Sequence, residues 1–328
     1  MNKYTFLAAL LFAVSAQAAT TIKIATVAPD GTAWMREMRA GADQVKKDTD
    51  GRVEIKYYPG GVMGDEPTVM RKIRIGQLQG GAFTGGELSL VDKDAQVYSL
   101  PFLFKTQDEV DKVRAQLDPQ LKASFAKAGF DVAGISGGGF AYLMSVKDIR
   151  NKDDLKAAKV WVPQGDRVAE AGFKAGGVTP ISLPLADVYT SLQTGLIDTV
   201  ANTPAGAIAF QWHTKVRHMV DLPITYVVGL LVIDNKVFDA LTPADQKAVN
   251  DDLGAAFARL EKINRDDNAQ AKLALQKQGV EIFTPNAAEM ASWEVVGAEA
   301  RKQLQAAGEI TPEMAAALDK ALAAARSK

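Results

Sequence analysis

Between Thr242 and Gly279 the sequence carries an unbroken helical repeat too long for one small lobe. Thr242-Pro243 reads as an N-cap followed by the first helical residue. Val249, Leu253, Phe257, Leu260 and Ile263 then step by three or four. Gly254 is the only weak point before Gly279, an isolated glycine that a helix tolerates at some cost. A helix over 243–278 would run roughly 54 Å at 1.5 Å per residue. Its apolar stripe rules out a free-standing rod, so the helix is expected to bridge two lobes. The 328 residues suit about two domains.

The chain before it alternates strands and helices. Residues 22–26 alternate as a strand, 28–31 turn, and Met35, Met38, Ala42 and Val45 line one helical stripe. Residues 52–59 form a second strand closed by proline. Residues 66–78 form a helix with Pro67 in its first turn and Gly76 near its end, and 79–86 form a glycine-edged strand. This β-α-β-α-β order favours a parallel sheet. The pattern recurs: a strand at 159–163, a helix at 167–174 capped by Asp166, an extended stretch at 178–184, a helix stopped at Gly195 and a strand after it. "IRIGQLQGGAF" (73–83) and "LQTGLIDTVAN" (192–202) share the order helix, glycine stop, apolar strand, small polar residues. The expected fold is α/β, with two lobes built on one plan. Ligand loops are expected at the strand C-termini. After the long helix, 279–283 returns to a sheet and two helices close the chain, the last opened by Thr311-Pro312.

Several chemistries are excluded or weakened. Lys+Arg number 38 against 39 Asp+Glu, which gives no basic surface for nucleic acid. Cysteine is absent, so disulfides, thiol nucleophiles and thiolate metal sites are ruled out. No phosphate-binding glycine loop precedes a helix. His213 and His218, the only histidines, are five apart and do not stack on one helix face; no metal or cofactor is expected. Gly134-Ile135-Ser136-Gly137-Gly138 matches the nucleophile elbow, and Asp198 and His213 follow in hydrolase order. The elbow needs a helix after its serine, whereas 140–144 read as a strand. The glycines read better as a pliable crossover between lobes. A secreted hydrolase using Ser136 remains the alternative, and a protein-interaction module without a small ligand is a third reading.

What remains is a cleft for a small molecule. Its candidates are Thr26, Asp30, Trp34, Thr84, Phe140, Tyr142, Trp161 and Asn202. Each has a structural role open to it. Trp34 could extend the Met35/Met38 stripe, Asp30 could cap the next helix, Phe140 and Tyr142 share a strand face that could be core, and Asn202 could be a turn residue. At the N-terminus, Lys3, the apolar run 6–14 and Ala16-Gln17-Ala18 form the three parts of a signal peptide over residues 1–18. An exported, periplasmic protein beginning at Ala19 is expected, with no lipid anchor and no membrane span.

The blocks "IKIATVAPDGTAW", "VEIKYYPGGVMGDEPTVMRKIRIGQLQGG", "SLPFLF", "DDLKAAKVWVP", "VTPISLPLADVYTSLQTGLIDTVANTP" and "FDALTPADQKAV" resemble, in order, those of the solute-binding proteins of TRAP (tripartite ATP-independent periplasmic) transporters, of C4-dicarboxylate-binding type. The resemblance implies a two-lobed periplasmic binding protein fold, each lobe a mixed sheet flanked by helices. It also implies strands crossing between lobes and a long helix spanning both. It places 19–141 with 229–262 in lobe I and 142–228 with 263–328 in lobe II. It implies a receptor that closes around one small organic solute and passes it to integral membrane subunits; a monomer is expected. Where such proteins carry a ligand-binding arginine in I-R-V-P, this chain has Val160-Trp161-Val162-Pro163. A second arginine that can follow a G-F pair is here Ala141, a stacking ring becomes Leu185, and the matching asparagine is Asn202. With both arginines lost, a simple dicarboxylate would be buried without a cation, at a cost of several kcal/mol. The ligand is therefore expected to be neutral, apolar or aromatic in part. The rival is an acid held by Arg71, Arg167 or backbone N–H groups.

Overall fold

The computed structural model describes residues 19–327; the signal peptide read over 1–18 lies outside them. The strands are β1 (Thr20–Thr26), β2 (Val53–Tyr58), β3 (Gly80–Thr84), β4 (Phe130–Ser145), β5 (Trp161–Pro163), β6 (Ile181–Leu183), β7 (Thr199–Asn202), β8 (His218–Val220), β9 (Thr225–Asp234) and β10 (Glu281–Phe283). The helices of the first half are α1 (Ala33–Asp48), α2 (Glu66–Arg74) and α3 (Gln107–Lys127). Those of the second are α4 (Lys152–Lys156), α5 (Arg167–Ala175), α6 (Val188–Thr194) and α7 (Pro204–Ala209). The chain closes with α8 (Asn235–Phe238), α9 (Pro243–Lys277), α10 (Ala287–Ala306) and α11 (Pro312–Arg326).

In the first lobe β1 pairs in parallel with β2 and with β3, as the β-α-β-α-β order requires. β9 then adds antiparallel to β3, and β4 antiparallel to β9. The far half of β4 leaves this lobe and pairs with β7 and β8 in the second, where β10 joins β8. β5 and β6 form a separate parallel pair. Two apolar clusters sandwich the first sheet: one joins β1 to α1 and α9, the other holds α2, α3 and α11. Two more flank the second sheet, one around Trp161, Trp212 and Met219, the other around Leu143, Val160 and Trp293.

The glycines at 137–139 form no loose linker. They lie inside one strand, β4, whose register against β9 shifts between Gly137 and Gly139. Such a bulge leaves backbone groups without ladder partners. α9 supplies them. Glu261 Oε2 accepts from the Gly137 N–H at 2.7 Å, Asn264 Nδ2 donates to the Gly137 carbonyl at 2.8 Å, and Asn268 Nδ2 donates to the Gly138 carbonyl at 2.7 Å. A Cβ on Gly137 would lie 2.1 Å from the Tyr226 hydroxyl, so this crossing admits only glycine there. α9 does run alongside both lobes, burying Val249, Leu253 and Phe257 in the first and Leu275 in the second.

One boundary expectation needs correction. Residues 263–328 do not stay with the second lobe. Met314, Leu318 and Leu322 of α11 bury among Val110, Val113 and Leu117 of α3, in the first. Arg326 secures the end of α11 by pairing with Glu109.

Candidate functional site

A cavity of about 580 Å³ opens between the lobes, walled mainly by apolar side chains. β1 ends on it at Thr26 and β3 at Thr84, so the C-terminal ends of parallel strands face it, as α/β topology favours. β5 delivers Trp161 from the opposite side, and β7 delivers Asn202. Trp34, Trp161, Phe210 and Trp293 give the wall its aromatic character.

Trp161 serves both packing and lining. It is 3% exposed, and its ring meets Trp212 edge-on with centroids 5.3 Å apart. Its Nε1–H donates to the Leu183 carbonyl at 2.9 Å, so the polar handle is spent on β6. What it offers the cavity is therefore hydrocarbon. Trp34 lies edge-on to Phe257 and against Gly229 of β9, where a Cβ would meet its ring at 2.4 Å. Leu185 also lines the cavity.

Three of the expected residues lie elsewhere. The strand alternation of β4 presents Ala141 and Leu143 to the cavity and turns Phe140 and Tyr142 away. Phe140 packs edge-on against Tyr226, and the Tyr142 ring carries Lys272 Nζ at 5.3 Å. The bulge makes this parity illegible beforehand, because the extra residue shifts the alternation after Gly138. Asp30 is exposed and pairs with Arg39, whose guanidinium lowers its pKa. The cap of α1 is Thr32, not Asp30.

The cavity is poor in cations. Arg36 is the only basic residue on its wall among the described residues; it is exposed, and it donates to the Gly31 carbonyl at 2.7 Å. Arg71 and Arg167, the rival anchors, are off the wall; Arg167 pairs with Glu309 and Arg71 lies near Thr68. Carboxylates are present instead. Asp166 caps α5 through the Ala169 N–H at 2.9 Å, as its position suggested. Glu87 Oε2 accepts from both the N–H and the hydroxyl of Thr84, at 2.8 and 2.9 Å. Burial pushes both carboxyls up, with the charge of Asp166 adding to the effect on Glu87. The sequence reading missed Glu87, Arg36, Phe210 and Trp293 as wall residues, since no local pattern distinguishes them from ordinary surface or core.

Among the described residues no nucleophile is assembled. Ser136 is fully buried in mid-strand opposite Gly229. Asp198 is taken up by the Lys159 N–H, the Thr199 hydroxyl and Lys147. His213 Nδ1 faces the Ala207 carbonyl at 3.4 Å. Among the described residues no acid or histidine group could hold a metal ion, and no helix is long and apolar enough to cross a membrane.

Residues 24–307 match a family model described as DctP, bacterial extracellular solute-binding protein, family 7. An uncharacterized protein YiiZ of Salmonella typhimurium is 27% identical over 210 residues, 63% of this chain and 64% of its own length. The C4-dicarboxylate-binding periplasmic protein DctP of Rhodobacter capsulatus is 26% identical over 283 residues, covering 82% of this chain and 81% of that protein. Among solved structures, a TRAP periplasmic solute binding protein from Desulfovibrio salexigens with bound orotic acid superposes with a TM-score of 0.86 at 20% identity. That match covers 93% of this chain and 99% of the other.

Proposed function

This chain belongs to family 7 of the bacterial extracellular solute-binding proteins, a family of receptors and not of enzymes, and from that premise we propose what it captures and where. It works in the periplasm, takes one small organic solute into the cavity between its lobes, and hands the closed complex to the membrane subunits of a TRAP transporter. The solute is held by apolar and aromatic contact and not by an arginine–carboxylate pair.

One observation carries the ligand reading. Both positions where the resemblance places arginines, Trp161 and Ala141, face the cavity, and neither supplies a cation. A charge-assisted bond contributes about 1.5–3 kcal/mol, so a simple dicarboxylate loses its main anchorage here. An indole face that has spent its N–H elsewhere favours a flat or hydrocarbon surface.

The test is a thermal-shift screen that sets dicarboxylates and sugar acids beside uncharged and aromatic solutes. A ligand at 100 times its Kd adds about 2.7 kcal/mol to stability, so hits are easily read. Trp161→Ala should weaken the hit at least tenfold, about 1.4 kcal/mol, with an unchanged circular dichroism spectrum. Trp161→Arg should bring carboxylate binding with it. Submicromolar binding of succinate or malate, untouched in Trp161→Ala, would sink the reading.

A further inference from the structure

Beside the main cavity, and sharing Val27, Glu87, Pro163 and Leu185 with it, lies a smaller recess of about 250 Å³. Its floor includes Glu66, the first residue of α2. Glu66 is only 4% exposed, yet its Oε1 has no hydrogen-bond partner among the described residues. Buried polar groups normally have partners, and an unpartnered buried carboxylate is costly to keep. Glu87 reaches the same recess, and its Oε1 accepts nothing among the described residues, since both Thr84 bonds go to Oε2. Across the cleft, Asp166 places Oδ2 against Gly86, 2.6 Å from where a Cβ would stand. Glu66 at the start of α2 and Glu87 just past the end of β3 thus face the recess from one lobe, beside Asp65, which caps α2, while Asp166 at the start of α5 approaches from the other; among the described residues no lysine or arginine lines either space near them, and Arg36 is at the exposed wall.

We propose that this recess is a cation subsite, which receives an ammonium or amidinium group of an organic solute whose apolar body lies on Trp161. The proposal rests on the apolar reading of the main cavity and adds the polar end of the ligand. An organic cation fits better than a metal ion, because no set of side chains among the described residues has metal-ligating geometry. A cation there would satisfy Glu66 and Glu87 from the first lobe and draw Asp166 toward them from the second. Binding and closure would then be one event.

The protonation of Glu66 gives the subsite its signature. Burial, then the charges of Glu87 and Asp65, raise its pKa to about 8, with Arg74 opposing. Near neutral pH the carboxyl is mostly protonated, and an arriving cation must expel that proton. Amine binding should therefore release a proton and tighten as pH rises from about 6.5 to 8.5.

The experiment uses the mature protein and three probes on one skeleton: 2-phenylethylamine, 2-phenylethanol and 3-phenylpropanoate. Titration calorimetry is run in two buffers of different ionisation enthalpy. The amine should bind at least about tenfold more tightly than the alcohol, with a buffer-dependent enthalpy that reports proton release. In the Glu66→Gln/Glu87→Gln double variant the amine should lose its advantage over the alcohol. An amine advantage that survives in the double variant overturns the subsite. So does tighter binding of the carboxylate, or an equal response to sodium, magnesium or calcium chloride. If alcohol and amine bind equally and both depend on Trp161, the subsite fails while the apolar reading stands; if none of the three binds, both fail.

Discussion

Arg114→Met is expected to cost about 3–5 kcal/mol of folding stability, because it strips the shared cation from a buried ion cluster. Arg114 comes from α3, and its side chain is about one-tenth exposed. One arm of its guanidinium bonds Glu261 of α9, and another bonds Asp118 at 3.0 Å, which also accepts the Tyr98 hydroxyl at 2.6 Å. Glu261 in turn holds the Gly137 N–H at the bulge of β4. Burial pushes the Glu261 carboxyl up, but Arg114, the Gly137 N–H and Arg265 more than offset it, so its pKa lies below the usual value. A lowered carboxylate stabilises the fold above its unfolded pKa, and that contribution fades as pH falls through the folded value. Without Arg114 the largest of these offsets is lost, burial weighs more heavily on Glu261, and its carboxylate contributes less stability as pH rises. The gap between wild type and Arg114→Met should therefore widen from about pH 4 to pH 7. Urea unfolding at both ends of that range measures it. A loss below about 1 kcal/mol at pH 7 would mean that the cluster is solvated like a surface pair.

Local features were the most legible in the sequence. Thr242, Asp166 and Thr311 read as N-caps, and each accepts the expected backbone N–H. The first three strands pair in parallel because their order leaves little else possible. Non-local facts were hidden. β9 enters the first sheet from more than a hundred residues downstream of β3, and nothing in its own alternation names its neighbour. The triple glycine signals an interruption, but the side chains that order it stand 124 to 130 residues away on α9. An apolar stripe on α11 says that it packs, not against which lobe. The same limit shaped the site. Trp161, in a short strand, and Trp34, at the start of the helix after the first strand, do line the cavity, whereas Phe140 and Tyr142 were separated from it by one bulged residue. Glu66, Glu87 and Asp166 are each unremarkable in their own segments, and only the approach of three separate elements makes them a charged group.

That charged group makes Glu66 a position where a neutral substitution should stabilise the protein. The carboxyl is buried without a partner for Oε1, and its folded pKa of about 8 lies above the ordinary value of 4.5. Below about pH 4.5 the group is protonated in both folded and unfolded chains, and it contributes nothing to the pH dependence of stability. Between the two values the unfolded chain gives up its proton while the folded chain keeps it, so stability falls as pH rises, and above about pH 8 the penalty is complete. Each pKa unit corresponds to about 1.4 kcal/mol. Relaxation and water entry reduce the full amount, and a penalty of about 3 kcal/mol is expected at pH 9. Glu66→Gln presents a neutral amide of nearly the same shape. It should match wild type near pH 4.5 and exceed it by about 3 kcal/mol at pH 9 in urea unfolding. Equal stability across the range would show that Glu66 titrates like an exposed carboxyl. Because the same substitution should cost affinity for a cationic probe, one side chain would then carry a trade of stability for recognition, the pattern expected where a binding site keeps a charge that the fold alone would discard.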